Sequence, residues 1–167
     1  LSNVMDINIL GALVAKSITR EFQPGNPTPR VAETHSGMLN SIGIPSKGIE
    51  EFLKTTIREY QEFNSPVVAS ISANSEADFA YMTNALSIDQ ISAIELNISC
   101  PNLEAGGKSF ALDPHLTEKV VKVAKNSSKK PIWVKLSPNV TDISCIASAA
   151  EKGGADSIVV ANTLLGM

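Results

Sequence analysis

Five short stretches of the chain are dense in Val, Ile and Leu: "GALVAKSI" (11–18), "PVVASIS" (66–72), "AIELNIS" (93–99), "PIWVKLS" (131–137) and "SIVVANT" (157–163). They are nearly continuous apolar runs rather than alternating ones, which predicts parallel strands covered by helices on at least one face. Helical periodicity fills the gaps. Over 49–63 the set Ile49, Phe52, Leu53, Ile57, Tyr60 and Phe63 follows one helix face. Ser75 with Asp78 resembles a capping box, and Phe79, Met82 and Leu86 continue a stripe behind it. Asp113 followed by Pro114 predicts an N-cap and first-turn proline for a helix carrying Leu116, Val120 and Val123. Thr141 is the expected cap of a last helix with Ile143, Ile146 and Ala150 inward and Gly153 as its stop. Cys145 falls inside that pattern and reads as packing.

Strand and helix alternate, so the expected fold is α/β with a parallel sheet. The one long irregular stretch, 20–48, is rich in Pro, Gly and Asn and reads as a functional or mobile loop. No internal repeat or low-complexity linker interrupts the 167 residues, a length sufficient for one domain.

Polar side chains enter the apolar runs mainly near their C-terminal ends. Lys16, Ser17 and Thr19 close the first, Ser70 and Ser72 the second, and Asn97, Ser99 and Cys100 the third. Lys135 and Ser137 close the fourth, Asn162 and Thr163 the fifth. In a parallel sheet these ends share one rim, where active sites of β/α barrels and open α/β sheets lie. A cysteine after a strand, taken alone, reads as a small buried hydrophobe. Cys100 sits instead before Pro101 and Asn102, at the same rim as two lysines. An ammonium group close by raises the thiolate fraction of a thiol whose ordinary pKa is about 8.5, making it a usable base or nucleophile. Asn40, Asn97, Asn102 and Asn162 offer donors and acceptors to a planar ring edged with C=O and N–H groups, such as a pyrimidine or an isoalloxazine. Taken singly, Asn40 and Asn102 read as turn residues.

Composition narrows the classes. The net charge of -3 gives no electrostatic reason to expect nucleic acid or a membrane surface. No apolar run approaches the roughly 18–20 residues of a membrane span. The first twenty residues lack the basic region and cleavage site of a signal peptide, and the absent initiator methionine suggests a processed or incomplete chain. Two cysteines make no disulfide framework and fit a reducing, cytoplasmic compartment; with His35 and His115 they form no metal-ligand spacing. No glycine fingerprint of a dinucleotide or triphosphate cradle occurs.

"ELNISCPN" (95–102), with "VAKSIT", "GNPTPR" and "LNSIGI" before it and "VKLSPN" and "ANTLLGM" after, resembles the flavin-dependent dihydroorotate dehydrogenases of pyrimidine biosynthesis. The resemblance implies an FMN-containing TIM (β/α)8 barrel that oxidises dihydroorotate to orotate. A cysteine in the SCPN motif is similar to the soluble class. "GGKSFALDP" (106–114) and "NTLLGM" are similar to the subclass whose partner subunit carries FAD and an iron–sulfur (2Fe–2S) cluster and reduces NAD. A homodimer or heterotetramer is implied, with no nucleic-acid or membrane partner. By matching motifs, Cys100 is the implied general base. Lys16, Ser17, Ser70, Asn97, Lys135 and Ala161 are implied at FMN, although Ser70 stands where relatives often carry asparagine. Lys16, Asn40, Ser41, Ile42, Gly43 and Ile44 are implied at the substrate, the last two isoleucines replacing frequent Met and Leu. Asn97, Asn102, Asn162 and Thr163 complete that implied set.

A full barrel of this kind takes about 250 residues. The 167 residues are therefore expected to form one partial FMN-binding domain, strands 2–6 of the barrel with their helices, which alone binds FMN weakly or not at all. Two alternatives stand beside this reading: a dihydropyrimidine dehydrogenase-like flavin reductase, and a non-catalytic barrel fragment in which Cys100 is packing.

Overall fold

The apolar runs do become strands, but each ladder is shorter than its run. The computed structural model describes residues 2–99 and 109–166, and contains β1 (Leu13–Val14), β2 (Val31–Thr34), β3 (Gly37–Asn40), β4 (Val67–Ile71), β5 (Ala93–Asn97), β6 (Ile132–Lys135) and β7 (Ser157–Val159). Five of them form one sheet in the order β1-β4-β5-β6-β7, every pair parallel. The order never reverses, as it must in a doubly wound sheet. Each strand is laid beside its predecessor in the same direction, which is how a β/α barrel winds. The fold is thus an incomplete TIM barrel, a curled run of parallel strands with their helices.

The first ladder is short because it contains an extra residue. Ala15 N–H donates to Val68 O (2.9 Å) and Ile18 N–H to Ser70 O (2.8 Å). The step from Ala15 to Ile18 is one residue longer than the step from Val68 to Ser70, so Lys16 and Ser17 form a bulge.

Register separates the two faces. Ala69, Ile94 and Ile132 lie in one row, and Ile71, Leu96, Val134 and Ile158 in the next. These face the helices α3 (Glu76–Ala85), α4 (Pro114–Ser127) and α5 (Ile143–Lys152), where Phe79, Met82, Val120, Val121 and Ile146 complete one buried cluster. The other face carries Ser70, Glu95, Trp133 and Ser157 in one row, then Asn97, Lys135 and Val159. Strands read as uniformly apolar therefore alternate after all, and their polar members share the barrel side.

Helix ends follow local chemistry. Ser75 accepts from Asp78 N–H at 3.1 Å, but its hydroxyl donates to the Asp78 carboxylate (2.8 Å), a variant of the expected box. Asp113 caps α4 by accepting from His115 and Leu116 N–H, with Pro114 in the first turn. The last helix corrects the expectation: Asp142, not Thr141, is the cap, accepting from Ser144 N–H at 2.9 Å. A carboxylate one residue later reaches that N–H and complements the helix N-terminus. Gly153 ends the helix without left-handed geometry; a Cβ there would meet Glu118 O at 2.7 Å, so close approach to α4 is what requires glycine. Cys145 is exposed rather than packed, because Ile143, Ile146 and Ala150 take the inward positions. The helix expected over 49–63 comprises α1 (Ile49–Glu51), a π turn (Phe52–Thr56) and α2 (Ile57–Tyr60).

The irregular stretch 20–48 is not wholly irregular. β2 and β3 pair antiparallel across His35 and Ser36. Neither residue has positive φ, so the turn is not one of the primed types that Asn-Gly announces. Gln23 and Ser46 close the base of the excursion with reciprocal backbone bonds of 2.9 and 2.8 Å. Among the described residues, no helix is long and apolar enough to cross a membrane.

Candidate active site

The barrel-side polar residues are joined into one network. The bulge turns Ser17 toward β4, where its Oγ lies 3.1 Å from Ser70 Oγ. Ser70 donates to Glu95 Oε1 at 2.8 Å. From the other side, Asn97 Nδ2 donates to Ser17 Oγ (3.1 Å), and Ser99 Oγ donates to Asn97 Oδ1 (2.7 Å). Asn162 Nδ2 reaches Ser99 Oγ at 2.5 Å and Asn97 Oδ1 at 3.3 Å. Asn162 Oδ1 in turn accepts from Thr163 N–H at 2.8 Å. Residues from four strand ends, 145 positions apart at the extremes (17 to 162), are thereby joined through their side chains.

Above this network opens a cavity of about 940 Å3, within the range of small-molecule sites. Asn162, Thr163, Ser99 and Ser137 line its floor side, while Asn40 and Ser41 come from the end of β3. Apolar wall is supplied by Met38 and Leu39 of the hairpin and by Leu112 and Leu164. Asn139 braces the far side: its Nδ2 donates to Ser137 Oγ and Thr163 O, each at 3.3 Å, and its Oδ1 accepts from Leu165 N–H at 2.9 Å.

Of the residues singled out in the sequence, Asn40, Ser41, Asn162 and Thr163 meet in this cavity, and Ser17, Ser70 and Asn97 form the network beneath it. Lys135 is half-buried beside Asn97 in the register, and its ammonium has no hydrogen bond or ion pair among the described residues. Ala161 is half-buried between β7 and Asn162. Lys16 is exposed and lines a separate recess of about 210 Å3 with Pro45, Ser46 and Tyr60. Ile42, Gly43 and Ile44 do not line the main cavity. Ile42 O accepts from Asn26 N–H, Gly43 O accepts from Gln23 Nε2, and Ile44 lines another recess with Ser72 and Asn74. The loop there is strained, since Ile44 has φ +48°, a conformation that a β-branched residue rarely adopts. Cys100 and Asn102 lie outside the described residues.

Glu95 and Asn139 are the site residues that sequence reasoning missed, while Ser99 and Ser137, counted among the rim residues, are given no ligand by it. Glu95 carried a usable signal: a carboxylate inside an apolar strand is seldom buried without a partner. It is 4% exposed here.

The flavin implied by the sequence resemblance can be weighed against these groups. A planar ring edged with C=O and N–H groups needs a wide slot with amides and hydroxyls on one side, and a cation where reduction places charge. Asn162 lines a cavity of sufficient volume, Asn97 and Ser17 join it through the network, and the Lys135 ammonium beside Asn97 has no partner among the described residues, so the residues present fit the group.

Ionisation is perturbed away from the site. Arg20 bonds Asp78 at 2.5 Å and holds that carboxyl below its ordinary value. Burial alone would raise Asp156, but Lys125 at 2.5 Å and Ile132 N–H at 2.7 Å together leave it lowered. Asp156 lies at the opposite, N-terminal end of the strands.

Comparison with known proteins agrees with this architecture. The profile of a family described as dihydroorotate dehydrogenase matches residues 1–167. The chain is 47% identical over 166 residues to the protein named dihydroorotate dehydrogenase B (NAD(+)), catalytic subunit, of Alkaliphilus oremlandii. Proteins of the same name from Listeria monocytogenes and Fusobacterium nucleatum are 46% and 42% identical over 167 residues. In each case 99% of this chain aligns with 55% of the relative, so the chain spans about half the length of the proteins it matches. With a match along its whole length and an amide-lined barrel mouth where the motifs fall, the chain belongs to the dihydroorotate dehydrogenase family.

Proposed function

We propose that this chain carries the pyrimidine-facing part of an enzyme that oxidises dihydroorotate to orotate in de novo pyrimidine biosynthesis. The observation that carries the proposal is the continuous Ser17–Asn97–Ser99–Asn162 network at the rim of the sheet, in a chain 42–47% identical to named catalytic subunits. FMN, when bound, supplies the acceptor for the hydride that leaves C6 of the substrate. Cys100, as thiolate, takes the proton from C5, and the electron pair left behind closes the C5=C6 double bond. Asn40, Ser41, Asn162 and Thr163 hold the pyrimidine edge, with Asn97 between substrate and cofactor. Asn102 belongs to the substrate side, as do the backbones of Ile42, Gly43 and Ile44. Ser17, Ser70, Lys135 and Ala161 belong to the flavin side, Lys135 offsetting negative charge there. Lys16 approaches both ligands.

The subclass follows the names of the relatives. Electrons leave through a partner subunit carrying FAD and a 2Fe–2S cluster and reach NAD, in a cytoplasmic homodimer or heterotetramer. The test uses the protein at the full length of its relatives. Orotate formation from dihydroorotate is expected, rising with pH toward the thiol pKa. Cys100→Ala is expected to lose about 10²–10⁴-fold in kcat, the usual worth of a positioned base. Turnover of dihydrouracil in place of dihydroorotate, or an unimpaired Cys100→Ala enzyme, would overturn the proposal.

A further inference from the structure

We infer that Glu95 is a positioning residue: through Ser70 and Ser17 it fixes which way the Asn97 amide faces, and so which group the site presents to a pyrimidine carbonyl. The inference rests on the function proposed above.

A carboxylate only accepts hydrogen bonds. Glu95, buried on the barrel side of β5, accepts from Ser70 Oγ at 2.8 Å, so the single hydroxyl hydrogen of Ser70 is committed. Between Ser70 Oγ and Ser17 Oγ, 3.1 Å apart, the hydrogen must then come from Ser17. With its own hydrogen spent, Ser17 can only accept from Asn97, which requires Nδ2 and not Oδ1 to face it; that contact is 3.1 Å. Asn97 Oδ1 therefore points the other way, where Ser99 Oγ donates at 2.7 Å and Asn162 Nδ2 at 3.3 Å. Every donor runs in one direction, from Asn162 to Glu95. Bonds to a charged acceptor are the stronger ones, and successive bonds polarise each other, so the carboxylate biases the whole chain.

The outcome matters at one atom. Asn97 Nδ2 has two hydrogens, and only one has a partner among the described residues. The second has none among them and is left as a donor, which the function proposed above assigns to a ring C=O. A neutral amide in place of Glu95 can donate to Ser70 as well as accept, so both chain directions become available and the Asn97 donor is no longer enforced.

The experiment uses the full-length flavoprotein, with orotate affinity read from the change in flavin absorbance on titration and normalised to bound flavin. Glu95→Gln is expected to weaken orotate about tenfold, equivalent to about 1.4 kcal/mol, and to raise KM more than it lowers kcat. Ser70→Ala, which keeps Glu95 but cuts its link, is expected to weaken orotate similarly. The double variant is expected to match Ser70→Ala within twofold, because the two act through one path. A buried acid that serves folding alone would lower thermal stability and leave affinity per flavin intact. Orotate binding within twofold of wild type in both single variants, or multiplicative losses in the double, overturns the inference. If Glu95→Gln fails to fold, the Ser70→Ala titration decides alone. Failure of the wild-type protein to bind orotate would instead remove the proposed function, and this inference with it.

Discussion

The two faces of β5 differ more than any two helices of the molecule. Ile94 and Leu96 point into the helix layer, are fully buried and continue rows of Ile and Val on the neighbouring strands. Glu95 and Asn97, alternating with them, are buried as well, yet their neighbours are serines, a tryptophan and a lysine. Burial on the first side removes apolar surface from water and stabilises the fold at about 25 cal/mol per Å². On the second side burial is costly for every polar group left unpaired. The barrel side answers that cost with a chain of side-chain bonds from Asn162 to Glu95. One strand thus separates stability and recognition by a period of two residues.

Substitutions on each side should break this contrast unequally. Leu96→Ala is expected to cost about 2–5 kcal/mol of unfolding free energy, as for a fully buried leucine, with orotate affinity of the folded fraction unchanged. Urea titration alongside orotate titration checks both halves. Asn97→Ala should reverse the balance: about 1–2 kcal/mol in stability from the orphaned Ser17 and Ser99 bonds, but at least a tenfold loss of orotate affinity. Equal stability losses would mean that the barrel side is core after all.

A third region, the N-terminal end of the strands, sharpens the comparison through pH. Asp156 joins Lys125 to Ile132 N–H and has a carboxyl lowered in the folded state. A lowered folded value means that the unfolded chain binds the proton first as pH falls. The contribution is therefore present above the ordinary carboxyl value of 3.8 and is lost as pH falls from there through the lowered folded value. With both partners well exposed to screening, Asp156→Asn should cost less than about 1 kcal/mol at pH 7, and the difference from wild type should shrink as pH is taken below 3.8. Denaturation curves on either side of that value measure it, and orotate affinity should not follow. The smallest effect belongs to Cys145→Ser, on the outer side of α5. It should change stability by less than about 0.5 kcal/mol, and a loss of several kcal/mol would restore the packing role expected from sequence.

The absorbance of residues 1–167 alone probes the partial sheet. Little or no bound flavin is expected, because β1 and β7 each have one strand neighbour among the described residues and the ring of strands is open there. Stoichiometric flavin absorption would show that these five strands suffice.

Legibility depended on how local each determinant is. The strand positions, the Asp113–Pro114 helix start and the convergence of polar residues on one rim were readable, because apolar runs and caps act within a few residues. The β2–β3 hairpin was not, since its His35–Ser36 turn carries no signature residue and its strands are exposed. The displaced cap at Asp142 was a choice between two competent neighbours. Cys145 could have been placed correctly, as it falls off the stripe of Ile143, Ile146 and Ala150.

By itself, the sequence determined the kind of sheet, the order of its elements, the family and the edge at which chemistry would gather, because hydrophobic period and short motifs are properties of neighbours along the chain. Only the tertiary structure decided that one extra residue at Lys16–Ser17 turns a serine onto β4, that Glu95 ends a line of donors, and that Asn40 and Asn162 face a common cavity. Those contacts join residues from 25 to more than 100 positions apart, and a hydrogen bond's direction is set by the partner it meets in space.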